Sequence, residues 1–334
     1  MSSDLRLEQL KCWLEKNAPF SITRVSPITN DASFRRYFRV FSQTQTWIAM
    51  DAPPDKEDCR SFCAIARGLF ACGIHAPEIF LEDIQNGFLL LTDFGDQTLF
   101  SLLCENDVDR FYQLTNATIF KLQQCNNIPD FNLPLFDVEY ISYELNLFLE
   151  WYLNRHLQIA LTTAQSKMLQ ETFTLLINNA QQQPQVIIHR DYHSRNLMLL
   201  PDNRIGVLDF QDAMFGPITY DLVSILKDCY IAWPLERVRT WALNYYQLLS
   251  PQQLKNSSEM QFLRWFDLMG LQRHLKVLGI FARLRYRDNK MEHLKNTPRI
   301  IKYVNDVLIN YPELQSFREL MANVIIPCQE KMIA

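Results

Sequence analysis

Only eight glycines occur in 334 residues. None lies in Thr29-Asn-Asp-Ala-Ser-Phe34, a polar loop between two candidate strands. A glycine-rich phosphate cradle is therefore missing from that loop, and the small Ala32 and Ser33 would have to allow any close backbone approach. The eight cysteines form no CxxC pair and no regular framework, which excludes a disulfide scaffold or a zinc ribbon. Cys59 and Cys63, one helical turn apart, read as reduced core residues. No apolar run is long enough to span a bilayer. Met1–Lys16 is charged throughout and has no apolar core of the signal-peptide kind. A net charge of −4 shows no basic excess, which argues against nucleic acid or an anionic membrane as the main partner. The expectation is a soluble, cytoplasmic protein.

What the chain does have is concentrated in Gln185-Val-Ile-Ile-His189-Arg-Asp191-Tyr-His193-Ser-Arg-Asn196-Leu-Met-Leu-Leu200. Two apolar runs, Val186–Ile188 and Leu197–Leu200, bracket a polar loop. After the turn Pro201-Asp-Asn203, a third run, Ile205–Leu208, ends on Asp209-Phe-Gln-Asp212. The pattern His-x-Asp-x-x-x-x-Asn, followed one hairpin later by Asp, is a phosphoryl-transfer signature. Its chemistry needs one carboxylate beside an acceptor hydroxyl and further oxygens around a hard cation. An alternative reading lets the alternating His189, Asp191 and His193 face one metal, as in a hydrolase. No second cluster of ligands nearby completes such a set.

The rest of the chain divides near residue 95. Before it, an amphipathic helix, Leu5–Glu15, follows a cap at Ser3 or Asp4. Candidate strands are Phe20–Val25, Arg35–Phe41, Thr46–Asp51, Glu78–Glu82 and Phe88–Thr92, with a helix over Glu57–Cys72. These predict a five-stranded antiparallel sheet. Where a kinase carries its strand-three lysine, the sequence reads Trp47-Ile-Ala-Met50-Asp, and the middle of the following helix offers no glutamate. Both partners of that ion pair look missing. Arg35, Arg36 and Lys56 are the remaining cationic candidates. After residue 95 the periodicity is helical: Thr98–Glu105, Asp107–Gln124, Tyr140–Arg155, Thr163–Gln182, a helix opened by Gly216–Ser224, and nearly everything from Leu235 to Ile326. Asp221, near the start of its helix, reads as an amide cap. Arg273, Lys276 and Arg283 share one helix, as a solvated basic face or as a cationic wall over an acidic substrate.

The stretches Asp31-Ala-Ser-Phe-Arg-Arg-Tyr-Phe-Arg39, Met50-Asp-Ala-Pro-Pro54, His189–Met198, Leu208–Ala213 with Gly216–Leu222, and Leu271–Gly279 resemble the aminoglycoside phosphotransferase family of small-molecule kinases. The likeness covers nearly the whole chain. Within that family the chain looks most like bacterial anomeric kinases acting on N-acetylmuramate and N-acetylglucosamine. The resemblance implies an α+β, protein-kinase-like two-lobed fold. A five-stranded antiparallel nucleotide-binding lobe (residues 1–95) would precede a larger, mainly helical catalytic and substrate-binding lobe (96–334). It also implies ATP and Mg²⁺ as cofactors and an amino-sugar substrate phosphorylated at C1. A sugar-1-phosphate uridylyltransferase would then use the product in cell-wall recycling.

By the same resemblance Asp191 is the acceptor-side base and His193 a phosphate contact. Asn196 and Asp209 bind the metal. Leu91, Thr92 and Asp93 offer hinge backbone to adenine. Ser33, Phe34, Arg35 and Arg36 lie at the nucleotide phosphates, and Asp212 and Arg273 face the substrate. Other readings are a kinase for a different hydroxyl (aminoglycoside, choline, homoserine) and a silent nucleotide-binding regulator.

Overall fold

The structure, a computed structural model, describes residues 4–28 and 34–333. The chain forms two compact units. One gathers the segment up to Leu102 with Cys125–Leu133 and Arg195–Ala213; the other gathers Leu103–Gln124, Pro134–Ser194 and Met214–Ala334. The chain thus passes from the second unit to the first within the signature, between Ser194 and Arg195, where a division at residue 95 keeps the signature whole.

The first unit is built on strands β1 (Arg24–Ile28), β2 (Arg36–Phe41), β3 (Thr46–Asp51), β4 (Ile79–Asp83) and β5 (Phe88–Thr92). All neighbouring pairs are antiparallel, in the order β1-β2-β3-β5-β4. The strand expected over Phe20–Val25 starts later. Phe20 instead stacks flat on Trp47, and Pro27 is tolerated in β1 because an edge strand can spare its missing N–H. Helix α1 (Leu5–Asn17) starts where the Asp4 carboxylate accepts the Leu7 N–H. The other expected cap, Ser3, lies outside the described residues. Leu10 and Leu14 of α1 cover Phe38, Val40, Trp47, Ala49, Phe88 and Leu90, one face of the sheet.

The strand period of two and the register Tyr37↔Met50 and Met50↔Leu89 put Tyr37, Met50 and Leu89 on the other face. Helix α2 (Cys59–Ala71) is capped by Asp58, and a one-turn helix, α3 (Leu99–Leu102), follows the sheet. Gly87, at φ +72°, closes the β4–β5 turn at a place where a Cβ would collide with the Ala52 carbonyl. Strands β7 (Leu197–Leu199) and β8 (Ile205–Val207) form the expected hairpin. They dock through bridges Thr98↔Met198 and His75↔Gly206. Cys72 and Cys125, 53 residues apart, are joined as a disulfide. No spacing pattern announced that pairing, whereas Cys59 and Cys63 are buried and free as expected.

The second unit is mainly helical: α4 (Val108–Gln124), α5 (Val138–Leu147) continuing as a π-helical stretch over Phe148–His156, α6 (Thr163–Gln182), α7 (Tyr220–Leu226), α8 (Leu235–Tyr246), α9 (Glu259–Asp288) and α10 (Thr297–Leu308). The capping box of Thr162 and Gln165 fixes the start of α6. Gly279 lets α9 press against the backbone of Leu147 and Phe148. Strand β6 (Gln185–Ile188) pairs with β9 (Met214–Pro217). Gly216 and Pro217 therefore belong to a strand, and the helix they were expected to open begins at Tyr220. Among the described residues, no helix is long and apolar enough to cross a membrane.

Candidate active site

In the second unit, β6 delivers the loop His189–Ser194, and two aspartates hold it at its two ends. The Asp221 carboxylate accepts the His189 N–H at 2.6 Å and the Arg190 N–H at 3.0 Å. Arg190 has φ +76°, a left-handed conformation that non-glycine residues keep only where their surroundings enforce it. Asp221 is thus an amide cap, as its helix-start position suggested, but for the amides of the loop. Burial pushes its carboxyl up to about 7, against the pull of those two N–H donors. At the other end, Asp228 Oδ2 accepts both the Ser194 N–H at 2.9 Å and the Ser194 hydroxyl at 2.6 Å. Its Oδ1 accepts the Tyr230 N–H at 2.8 Å. Tyr230 stands edge-on to His193, whose Nδ1 is buried without a hydrogen-bond partner. His189 Nδ1 accepts the Asp191 N–H at 3.2 Å, which braces the turn.

Below the loop lies a buried ionic cluster. Glu144 on α5 pairs with Lys276 at 2.7 Å and Arg190 at 3.3 Å, and accepts from Gln272 at 2.9 Å. Lys276 also donates to the Tyr220 hydroxyl at 2.9 Å, and Arg273 donates to the Ser224 hydroxyl. Arg273 and Lys276 are only 5% and 6% exposed, so they form neither a solvated face nor an open wall. They are the interior support of the loop. Burial pushes the Asp191 carboxyl up, but Lys276, His193, Arg190 and Arg273 outweigh it and hold it at about 2. Asp191 is therefore a carboxylate throughout the physiological range.

In the first unit the hairpin presents Asn196 and Asp209. The Asn196 amide donates to Asp209 Oδ2 at 3.3 Å and Gln211 donates to Oδ1 at 2.8 Å, with Asp209 at φ +62°. Asp212 is exposed on the same segment. Among the described residues no three His, Cys, Asp or Glu side chains gather around one point. The alternating His189, Asp191 and His193 therefore do not form a metal cage. The amide and carboxylate of Asn196 and Asp209 fit Mg²⁺, which keeps several waters and completes its shell with substrate phosphates.

Leu91 and Thr92 lie within the β5 ladder, opposite Ile48 and Trp47, and the Thr92 N–H is donated to the Glu78 carbonyl at 3.0 Å. Asp93 is the first residue beyond the ladder. Its carboxylate pairs with Arg39 at 2.7 Å and accepts the Gly95 N–H at 2.9 Å. Of the four phosphate-loop candidates, Ser33 lies outside the described residues and Phe34 is exposed. Arg35 pairs with Glu57 at 2.8 Å. Arg36 falls on the α1-covered face, where Asp4 and Asp51 hold its guanidinium, so the structure does not bring it to the side of the sheet that carries Tyr37 and Met50. Sequence reasoning missed Glu57, Glu144, Ser194 and Asp228. Asp228 lies just beyond the end of α7, and nothing local in the sequence marks it.

The phosphotransferase enzyme family model matches residues 24–264. The chain belongs to this family. It is 39% identical to the N-acetylmuramate/N-acetylglucosamine kinase of Pseudomonas aeruginosa, over 97% of this chain and 98% of that one. With the kinase of the same name from Pseudomonas putida it shares 40% identity, over 96% and 97%. With that from Neisseria meningitidis it shares 37%, over 95% of each. Among solved structures, ADP-bound aminoglycoside phosphotransferase APH(2'')-Ib matches with a TM-score of 0.60 at 14% identity, covering 90% of this chain and 98% of that one. Choline kinase LicA from Streptococcus pneumoniae matches at 0.62 and 12%, covering 90% and 99%. These structures establish the kinase-like fold.

Proposed function

We propose that the protein is an ATP-dependent kinase that phosphorylates the anomeric C1 hydroxyl of N-acetylmuramate and N-acetylglucosamine, giving the α-1-phosphate. The observation that carries the reading is near-full-length identity of 37–40% to three kinases named for those two sugars. The doubly anchored Asp191 loop supports it.

Asp191 accepts the proton of the sugar hydroxyl as the C1–O–P bond forms and the bond from the γ-phosphorus to ADP breaks. A carboxylate held at about 2 is a weak base, and it suits a hemiacetal hydroxyl, which is more acidic than an ordinary alcohol. His193, half-buried and edge-on to Tyr230, contacts a phosphate oxygen. Asn196 and Asp209 would hold Mg²⁺, which when bound would supply neutralisation of charge on the phosphate oxygens. Backbone just beyond the β5 ladder, at Asp93, receives adenine, with Leu91 and Thr92 holding that strand end in the sheet. Asp212 faces the sugar, and Arg273 acts from beneath the loop. The product, a sugar 1-phosphate, would feed a uridylyltransferase in cell-wall recycling, with the cytoplasm, where ATP is available, as the setting.

The test is ADP release by the purified protein across an acceptor panel of both amino sugars, choline, homoserine and an aminoglycoside. Turnover confined to the amino sugars supports the reading; turnover with another acceptor and none with either sugar overturns it.

A further inference from the structure

In kinases of this fold a strand-three lysine contacts the α- and β-phosphates and is held by a glutamate on the following helix. Here β3 offers Ile48 and Met50 to the face of the sheet turned away from α1, and Met50 is fully buried. We propose that Arg35, braced by Glu57, replaces that pair and is the residue that contacts the nucleotide's α- and β-phosphates. The proposal rests on the kinase reading above.

The register carries the argument. Tyr37 is the cross-strand partner of Met50, and Arg35, the residue immediately before β2, precedes Tyr37 by two, the spacing that keeps side chains on one face as the extended chain runs into the strand. Arg36, one residue out of phase, falls on the α1 face with Asp51, its own cross-strand partner. Adjacent arginines are thereby divided between the two sides of the sheet. Arg35 is 8% exposed and its Nη2 lies 2.8 Å from Glu57, just before α2. One residue away in each segment, the Lys56 ammonium sits 4.7 Å over the Phe34 ring. Two successive contacts thus fasten the start of β2 to the start of α2.

Asp209 belongs to the same neighbourhood. Arg35, Asp209 and Glu57 are among the groups whose charge acts on the half-buried Tyr37 phenol. The cation–glutamate pair and the proposed metal ligand therefore lie within electrostatic reach of one side chain in the first unit, as the lysine–glutamate pair and the metal-binding aspartate work together in other kinases. A buried ion pair adds little net stability, because desolvation offsets its attraction, so stability alone gives little reason for it. A guanidinium carries five N–H donors, enough to address a carboxylate and a phosphate together.

The test compares the dissociation constants of ADP and adenosine by calorimetry in the full-length wild type, Arg35→Met, Glu57→Gln and the double variant, with steady-state KM for both substrates. Charge-assisted hydrogen bonds of about 1.5–3 kcal/mol correspond to roughly 10- to 150-fold. Arg35→Met is expected to weaken ADP by that factor, leave adenosine within about twofold, and leave the sugar KM unchanged. Glu57→Gln should lose less, and the double variant should be no worse than Arg35→Met, since Glu57 acts through Arg35. An unchanged ADP-to-adenosine ratio in Arg35→Met overturns the proposal while leaving the kinase reading intact. A wild type that binds no ADP overturns both. Should Arg35→Met fail to fold, a Glu57→Gln protein with no selective loss of ADP overturns the pairing.

Discussion

Asp221 and Arg190 meet through carboxylate and backbone: the amide of a residue held at φ +76° donates to Asp221 Oδ1 at 3.0 Å. The His189 amide occupies the other oxygen. A single buried carboxylate therefore enforces the strained turn that presents Asp191. Asp221→Asn keeps the size but offers one acceptor oxygen to two N–H donors. Leaving one buried donor unsatisfied costs about 1–3 kcal/mol, so Tm should fall by several degrees and kcat should drop. A variant with wild-type Tm and kcat would show that the loop does not depend on this anchor.

The opposite end makes a separable prediction. Ser194→Ala removes one of the two donors to Asp228 Oδ2 and leaves the amide. It should lower kcat about fivefold, the worth of a single hydrogen bond near 1 kcal/mol, with both KM values little changed. Asp228→Asn should lower kcat further and raise amide exchange selectively in residues 189–194. If kcat per folded molecule is unchanged in both variants, the second anchor has no part in placing Asp191.

Lys276 is the first of the cations that hold Asp191 down against burial, from an ordinary 3.8 to about 2. The folded value is depressed, so the charged carboxylate favours folding above the ordinary value. That contribution is lost as pH falls through the folded one. The acid limb of kcat/KM for the wild type should therefore owe nothing to Asp191 above about pH 4. Lys276→Met should raise the Asp191 value and carry the onset of acid inactivation upward. An acid limb that does not move would remove Lys276 from this role.

Asp51 is fully buried, where it binds Arg6 of α1 and Arg36 of β2. Asp51→Ala leaves two arginines facing each other without their shared partner. A loss of about 3–5 kcal/mol is expected for a fully buried pair and less here, where both arginines are partly exposed. The readouts are a lower Tm and earlier proteolysis of α1. Unaltered stability would mean that the apolar contacts of Leu10 and Leu14 suffice to dock the helix.

Much of this was legible in the chain. The strands read over Arg35–Phe41 and Thr46–Asp51 form within one residue of those bounds, and the apolar stripe of Thr163–Gln182 marked α6. The His189–Asn196 spacing identified the loop. What failed to show was pairing across sequence distance. Glu144 meets Lys276 from 132 residues away and Asp228 meets Ser194 from 34, and neither contact leaves a local pattern. Arg273 and Lys276 looked like surface charge because helical period reports a face and not what covers it. Arg35 and Arg36 looked equivalent until the register separated them, since a one-residue step along a strand changes the face.

The central claim, phosphoryl transfer to the anomeric hydroxyl with Asp191 as base, is tested most directly by ³¹P NMR. The reaction would contain the protein, ATP, Mg²⁺ and either amino sugar. The predicted result is a new phosphomonoester signal coupled to the anomeric proton, with turnover reduced about 10²- to 10⁴-fold in Asp191→Ala. A phosphomonoester on another carbon, or an Asp191→Ala enzyme with near-normal turnover, would contradict it.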